Sequence, residues 1–233
     1  MKKPLCIIAG VGPGNGLACC KRFRNAGYRT AILARDLGRL QGYSKGDENI
    51  FPFSCDLSDT SSINNTFTKI ISTLGVPEVV IYNAGSGLFG TALDVPDEDF
   101  EDAWRINALG LLTVSKAVAP LMVENGGGSL LVTGATASLR GGANFAAFSS
   151  AKAAQRHLAQ SLGRSLGSQG IHVALVIVDG VIDMPRTREF LSDKPDSFFI
   201  QPDAIAETFY NLSQQTSSAW TFEVDLRPSS EAW

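Results

Sequence analysis

The chain has 233 residues, of which 44% are hydrophobic and 18% are charged, and its formal net charge at pH 7 is −3. These proportions exclude a disordered chain and predict one globular domain, residues 1–233, with a substantial core. The small negative charge and the lack of a Lys/Arg cluster argue against nucleic acid as the main partner.

The lengths of the apolar runs and the spacing of the cysteines indicate where the protein is located and whether it binds a metal. No apolar run approaches the ~18 residues that a membrane span needs, and the run behind Met1-Lys2-Lys3 stops at Gly10, which is too short for a secretory signal. The four cysteines lack the spacing of metal ligands. We therefore expect a cytoplasmic protein with reduced thiols, no metal site and no membrane partner.

The first predicted elements are a strand, a glycine turn and a helix. The apolar run Leu5–Ala9 is followed by Gly10, Gly14 and Gly16 and by a helix over residues 17–26. Glycine permits positive φ, lets a pyrophosphate approach the backbone, and lets the helix pack closely on its strand. The N-terminus of this helix, next to Asn15, offers free N–H groups and the positive end of the helix dipole to a phosphate group. A glycine string alone fits an ordinary turn equally well, but the flanking strand and helix favour a dinucleotide site.

The end of the second predicted strand, residues 28–34, bears on the cofactor. An acidic residue there would bind the ribose hydroxyls of NAD. The chain has Ala34 and the cationic Arg35 instead, which favours a 2′-phosphate and hence NADP(H) over NAD(H). The alternative is a solvated surface arginine, and Asn15 adds no second positive charge.

Residues 37–43 predict a short helix, Ile50–Ser54 a third strand and residues 58–74 a helix. Asp56, followed by Leu57, stands between that strand and that helix. Its carboxylate is suited either to accept from an adenine amino group or to cap the helix. A fourth strand over residues 78–82 runs into Asn83-Ala84-Gly85.

The second half of the chain continues the alternation. We predict a long helix over residues 97–123 that contains Asn107, a strand over 129–133, a helix over 145–166 and an apolar strand, Ile171–Val178, which is broken by Asp179-Gly180. A helix over 202–214 and a strand over 220–226 complete the series. The alternation predicts a single-domain, Rossmann-type α/β fold: a doubly wound parallel sheet of about seven strands with helices on both faces.

With these residues placed, the chain resembles the short-chain dehydrogenase/reductase superfamily over almost its whole length. The matching features, in order, are the glycine turn, Asp56, Asn83-Ala84-Gly85, Asn107 and Lys152 within FSSAK. The resemblance implies an NAD(P)-dependent oxidoreductase with a small-molecule substrate. In that family the Asn-Ala-Gly segment steadies the central sheet, the helix Asn positions a water in a proton relay, and the Lys binds the nicotinamide ribose.

The same resemblance shows what is missing. The family's general acid/base Tyr stands four residues before the Lys, and its carbonyl-polarising Ser stands thirteen residues before the Tyr. Those positions hold Phe148 and Ala135, and neither side chain can donate a hydrogen bond. The resemblance therefore implies a divergent member of the family that lacks the catalytic pair. The family's usual Pro-Gly after the sixth strand is also replaced, by Asp179-Gly180, although the backbone from Gly180 to Ile182 would still reach the nicotinamide carboxamide.

Other groups remain available for the chemistry. Lys152 would hold the ribose or, alternatively, lie on the helix surface; Asn107 would join a relay or only bond its own helix. Asp179, if buried next to the nicotinamide, would favour its protonated form and act as an acid; otherwise it bonds loop amides. Thr136 lies on the pocket rim, whereas Ser149 points away from Phe148 on the helix. Phe145 and Phe148 would make the substrate pocket apolar, unless they are simply core.

Three functions follow from this pattern. The first is an NADPH-preferring oxidoreductase that acts on an apolar carbonyl, alcohol or activated double bond by an atypical proton route. The second is a catalytically silent NADPH sensor or regulator, and the third a scaffold without ligand. An open pocket lined by Phe148, Thr136 and Asp179 would favour the enzyme, and a filled one the sensor. By resemblance, helices 97–123 and 145–166 would form a homodimer or homotetramer interface, unless their alanines pack within the chain.

Overall fold

The computed structural model describes residues 3–230 and contains a parallel sheet of seven strands in the order β3-β2-β1-β4-β5-β6-β9. The strands are β1 Leu5–Ala9, β2 Arg29–Ala34, β3 Ile50–Ser54, β4 Val79–Tyr82, β5 Gly128–Ala135, β6 Ile171–Val178 and β9 Glu223–Leu226. The reversal of strand order between β1 and β4 makes a doubly wound sheet, so the predicted α/β fold is confirmed.

The helices cover both faces of this sheet. They are α1 Asn15–Asn25, α2 Leu37–Ser44, α3 Thr60–Leu74, α4 Asp97–Trp104, α5 Gly110–Glu124, α6 Ala146–Leu166, α7 Pro185–Phe190 and α8 Pro202–Ser213. Alternation along β1 sends Leu5 and Ile7 into the core beneath α3, α5 and α6, while Cys6 and Ile8 enter the core beneath α1 and α8.

Most predicted boundaries agree with the structure to within a few residues. Asp59, not Asp56, caps α3, because its carboxylate accepts from the Ser61 amide, so this helix begins at Thr60 and the capping alternative for Asp56 is wrong. A small parallel pair, β7 Val181–Ile182 and β8 Phe199–Ile200, and the short helix α7 were not predicted.

The predicted helix over residues 97–123 is interrupted by one π-helical turn, Arg105–Leu109. By length and composition the combined stretch Asp97–Glu124 could cross a membrane, but 56% of its most apolar window is buried inside the fold. A core helix of a soluble protein has the same property, so this stretch is weak evidence for a membrane span.

The small residues of α6 have two different environments. Ala147 and Ala151 are buried against Ala103 of α4 in the same chain. Packing within the chain, the alternative weighed above, therefore accounts for these two alanines, and they are not free to form a subunit interface. Ala146, Ala153 and Ala154 are only partly buried.

Candidate active site

A cleft of about 750 Å³ lies at the carboxyl ends of the parallel strands, where ligands bind in open α/β sheets. Thirteen of the predicted site residues line it: Gly14, Asn15, Gly16, Asn83, Gly85, Ala135, Thr136, Phe145, Phe148, Lys152, Asp179, Gly180 and Ile182. Six others lie outside this lining: Gly10, Arg35, Asp56, Leu57, Ala84 and Asn107.

The glycine turn between β1 and α1 is closely packed. Gly10 has φ +102°, and a Cβ there would lie 2.6 Å from the Ala84 amide nitrogen. A Cβ on Gly16 would lie 2.5 Å from the Gly10 carbonyl oxygen, whereas one on Gly12 would meet nothing within 4 Å. The turn therefore presents backbone, and the first N–H groups of α1, to the cleft.

Asn83 ties three strand ends together. Its Nδ2 donates to the Gly10 carbonyl at 2.7 Å, and its Oδ1 accepts from the Thr133 hydroxyl at 2.9 Å. These bonds join the loop after β1, the end of β4 and strand β5. The arrangement matches the sheet-steadying role that the resemblance implies for the Asn-Ala-Gly segment.

Lys152 is buried in the wall of the cleft rather than exposed on the helix surface. Its side chain is 4% exposed, and its Nζ donates to the Thr133 carbonyl and to Gln155 Oε1, both at 2.9 Å. Burial lowers the pKa of Lys152 to about 7, because no charged side chain among the residues that the structure describes pairs with the ammonium to offset its lost hydration.

Asn107 lies in the π-helical turn and is fully buried. Its Nδ2 donates to the Ala103 carbonyl at 2.8 Å, and its Oδ1 has no hydrogen-bond partner among residues 3–230. A Cβ on Gly85 would lie 3.2 Å from that Oδ1 and 3.4 Å from Lys152 Nζ. Asn107 and Lys152 therefore face the same backbone position, and π turns are frequent at functional sites.

Aromatic side chains form the apolar wall of the cleft. The rings of Phe145 and Phe148 have centroids 6.5 Å apart, and Phe89 packs edge-on against Phe145 at 5.2 Å. Phe148 and Ala135 both line the cleft, so the positions of the missing Tyr and Ser face it but supply no proton. The Ser149 hydroxyl donates to the Phe145 carbonyl of its own helix, which removes it as a substitute.

Asp179 is held by two side chains. Its Oδ1 accepts from the Thr136 hydroxyl at 2.5 Å, and its Oδ2 lies 3.2 Å from Nη1 of Arg227, just after β9. Both carboxylate oxygens of Asp179 therefore have side-chain partners, and the Thr136 hydroxyl donates to Asp179. The acid role of Asp179 stays a prediction.

The residues expected at the adenosine end lie beside the cleft. Arg35 follows β2 with an exposed side chain. Asp56 accepts from the hydroxyl of Ser58 at 2.7 Å and from its amide at 2.9 Å, and these bonds lower the pKa of the Asp56 carboxyl. Leu57 is buried in the core, so only its backbone is available to a ligand.

The sequence analysis missed several residues of this site, among them Phe89, Thr133, Arg140, Met184 and Gln155. Arg140 and Met184 line the cleft, and Met184 Sδ would lie 3.3 Å from a Cβ on Gly14. Neither residue stands in a pattern that predicts its place. Gln155 carried a usable signal, because positions three apart on a helix share a face and Gln155 follows Lys152 at that spacing.

Comparisons with known proteins agree with this geometry. The short chain dehydrogenase family matches residues 5–195. The 7alpha-hydroxysteroid dehydrogenase of Escherichia coli K12 is 30% identical over 226 residues, covering 91% of this chain and 88% of that protein. The chain therefore belongs to the short chain dehydrogenase family, whose members are NAD(P)-dependent oxidoreductases.

Solved structures show the same fold. A short-chain dehydrogenase from Rhodopseudomonas palustris superposes with a TM-score of 0.83 at 31% identity, covering 97% of this chain and 98% of that one. An alcohol dehydrogenase from the archaeon Thermococcus sibiricus, complexed with 5-hydroxy-NADP, gives a TM-score of 0.87 at 24% identity, covering 99% and 98% of the two chains.

Proposed function

We propose that the protein is an NADP(H)-dependent oxidoreductase that moves a hydride between nicotinamide and a small, apolar carbonyl, alcohol or activated double bond. The observation that carries the proposal is the open cleft of about 750 Å³, lined by Phe148, Thr136 and Asp179, next to the glycine turn. The cleft is open rather than filled by side chains, which is the arrangement that the enzyme hypothesis predicts.

The residues present fit a dinucleotide. The glycine turn is a cradle that side chains would fill, and Asn15 at the start of α1 has a buried Oδ1 without a partner in the described part of the chain. Gly10, Gly14 and Gly16 would receive the pyrophosphate, Arg35 the 2′-phosphate, Asp56 the adenine, and Lys152 the nicotinamide ribose. Ala84, Gly180 and Ile182 would contribute backbone. The nicotinamide supplies the hydride when it is bound.

The cleft also favours a class of substrate. Phe145 and Phe148 provide an apolar wall, and neither Phe148 nor Ala135 can protonate or polarise a carbonyl. A positioned acid is typically worth ~100- to 10,000-fold in rate, so a substrate that needs little protonation, such as a quinone-like ring or an enone, suits the site best.

A catalytically silent NADPH sensor is the second candidate, and one observation favours it. Lys152 already donates to Thr133 and Gln155, which is an arrangement that holds the side chain without a substrate. We further propose a reducing, cytoplasmic location, since the described part of the chain has four buried free thiols.

The test is NADPH oxidation, followed by absorbance, with a panel of apolar aldehydes, ketones, quinones and enones and the wild-type protein. The proposal predicts turnover of at least one class, with quinones or enones ahead of simple ketones. Tight NADPH binding without turnover of any compound would favour the sensor instead. Absence of NADPH binding would contradict both.

A further inference from the structure

Few groups on the cleft wall can exchange a proton near neutral pH. The cleft is lined by Arg140, whose residue type does not act as a proton donor or acceptor in proteins, and by Asp179, which is paired with Arg227. Among the described residues that line the cleft, one further residue has an ionisable side chain of the Lys, Arg, His, Asp or Glu type, and it is Lys152. It stands one helical turn after Phe148, which occupies the position of the missing general acid.

The surroundings of the Lys152 amine are uncharged. The groups that face it are the Thr133 carbonyl of β5, Gln155 of its own helix, Asn107 of the π turn and the backbone of Gly85. No charged side chain within residues 3–230 shifts its pKa, which burial alone lowers to about 7. Such an amine is protonated and neutral in comparable amounts at neutral pH.

The two acceptors fit both protonation states. A neutral amine has two N–H donors, and the structure offers two acceptors, Thr133 O and Gln155 Oε1, each 2.9 Å away. The ammonium has three donors. One position on Nζ therefore alternates between an N–H and a lone pair, while the other two bonds hold the nitrogen in place.

We propose, resting on the oxidoreductase function above, that Lys152 is itself the acid and base of the reaction and that Gln155 is its positioning residue. In reduction, the carbonyl carbon receives the hydride and the carbonyl oxygen receives a proton from the Lys152 ammonium, directly or through one water. The cofactor is oxidised, the substrate is reduced, and Lys152 is left as an amine that solvent reprotonates. In oxidation, the amine accepts the hydroxyl proton.

The amide of Gln155 is important because it is neutral. A carboxylate at the same position would pair with the ammonium, favour the charged form, and raise the pKa of Lys152. Gln155→Glu is nearly the same size as wild type, so it alters the proton affinity of Lys152 with little change in packing. Lys152→Arg keeps a cation for the ribose but cannot release its proton.

The first measurement is a carbon-13 NMR titration of the full-length protein labelled at its lysine side chains. We expect one lysine to titrate near pH 7, at least about two units below an ordinary lysine, and this signal to vanish in Lys152→Met. The pKa reported by this signal should rise by about one unit or more in Gln155→Glu. It should be unchanged in Lys116→Met, which removes an exposed lysine. Titration of every lysine near its ordinary value would overturn the proposal.

The second measurement is the pH dependence of kcat/KM with the best substrate, alongside the Kd for NADPH. The proposal predicts an inflection that moves with the NMR pKa in Gln155→Glu, and a loss of about 100-fold in kcat in Lys152→Arg. A pH profile that does not follow Gln155→Glu would overturn this proposal but leave the oxidoreductase function. No turnover by wild type on any compound would overturn both.

Discussion

Arg35 is the residue on which the cofactor preference rests, since it stands exposed at the end of β2. We expect Arg35→Asp to raise the Kd for NADPH by about 10- to 100-fold, because a hydrogen bond between charged groups is worth about 1.5–3 kcal/mol. The Kd for NADH should stay constant or fall. Cofactor fluorescence measures both constants, and Arg39→Asp, on the exposed side of α2, is the matched control. Equal effects on both cofactors would contradict the NADP(H) preference.

Gly16 tests the close packing of the glycine turn. A Cβ there would meet backbone atoms, Gly10 O at 2.5 Å and Val11 Cα at 2.7 Å, which cannot move aside as a flexible side chain can. We expect Gly16→Ala to lower the free energy of unfolding by about 1–3 kcal/mol, measured by urea denaturation. Gly12→Ala, with nothing within 4 Å of its Cβ, should be close to neutral. A similar loss in both variants would contradict the close-contact account, because the lower entropy of the unfolded chain would by itself stabilise both variants.

At the scale of residues, the sequence predicts where a side chain lies better than it predicts which other side chain it bonds. Spacing along one helix places Phe148 four residues before Lys152, and both line the cleft. The Arg227 that pairs with Asp179 is 48 residues away in the chain. It reaches Asp179 because β9 lies beside β6, and no local pattern encodes that neighbourhood. The side-chain partners of Asp179 could not be predicted for this reason.

At the scale of elements, the segment from β7 to β8, of which Ile182 and Met184 line the cleft, is held by Asp183. Its carboxylate makes two 2.7 Å bonds with Arg188 and a third, of 2.9 Å, with Gln201. The Arg188 bonds lower the pKa of Asp183 from 3.8 to about 2. A carboxyl whose pKa is lowered by folding stabilises the folded state at pH values above its ordinary pKa. That stabilisation is lost as pH falls from about 4 toward 2.

We therefore expect Asp183→Asn to unfold at a lower temperature than wild type at neutral pH, and the difference to shrink as pH falls through this window. Thermal unfolding followed by circular dichroism measures it. Asp193→Asn, an exposed carboxylate on the same segment, should show little difference at any pH. A difference in unfolding temperature between Asp183→Asn and wild type that is undiminished at pH 2 would contradict the ion-pair account.

The π turn shows why boundaries inside a long apolar helix are hard to predict. Residues 97–123 keep a helical pattern throughout, and one extra residue in a turn does not disturb it visibly. The irregularity depends on tertiary contacts: the Tyr82 hydroxyl donates to the Ile106 carbonyl, and Asn107 bonds Ala103. The strands β7 and β8 have only two residues each, which is too short for a periodic signal.

At the scale of the whole molecule, the fold could be predicted because the apolar residues of every long helix or strand repeat at the spacing typical of that element. Nearly continuous apolar strands such as Ile171–Val178, in which His172 is the one polar residue, predict a sheet covered on both faces, and the structure buries all eight residues of β6. Alternation of strands and helices then predicts parallel pairing. Assembly depends on surfaces, for which the sequence has no comparable pattern.

Homo-oligomer formation through α4, α5 and α6 remains a prediction. Trp104 is 44% and Phe100 43% exposed on α4, and large exposed aromatic side chains mark interfaces. We expect Trp104→Glu to raise the dimer dissociation constant by at least about 10-fold, as measured by analytical ultracentrifugation. Phe190→Glu, 86% exposed on α7, is the control and should leave it unchanged. A wild-type monomer at all concentrations would contradict the prediction.

The most direct test of the central claim compares wild type with the double variant Ala135→Ser plus Phe148→Tyr, using NADPH oxidation and one substrate panel. If the chain is a working enzyme with its own proton route, wild type turns over NADPH, and the restored pair changes which substrates are preferred rather than creating activity. Silence from wild type together with activity in the double variant would contradict the claim. The protein would then be a sound scaffold from which the chemistry has been removed.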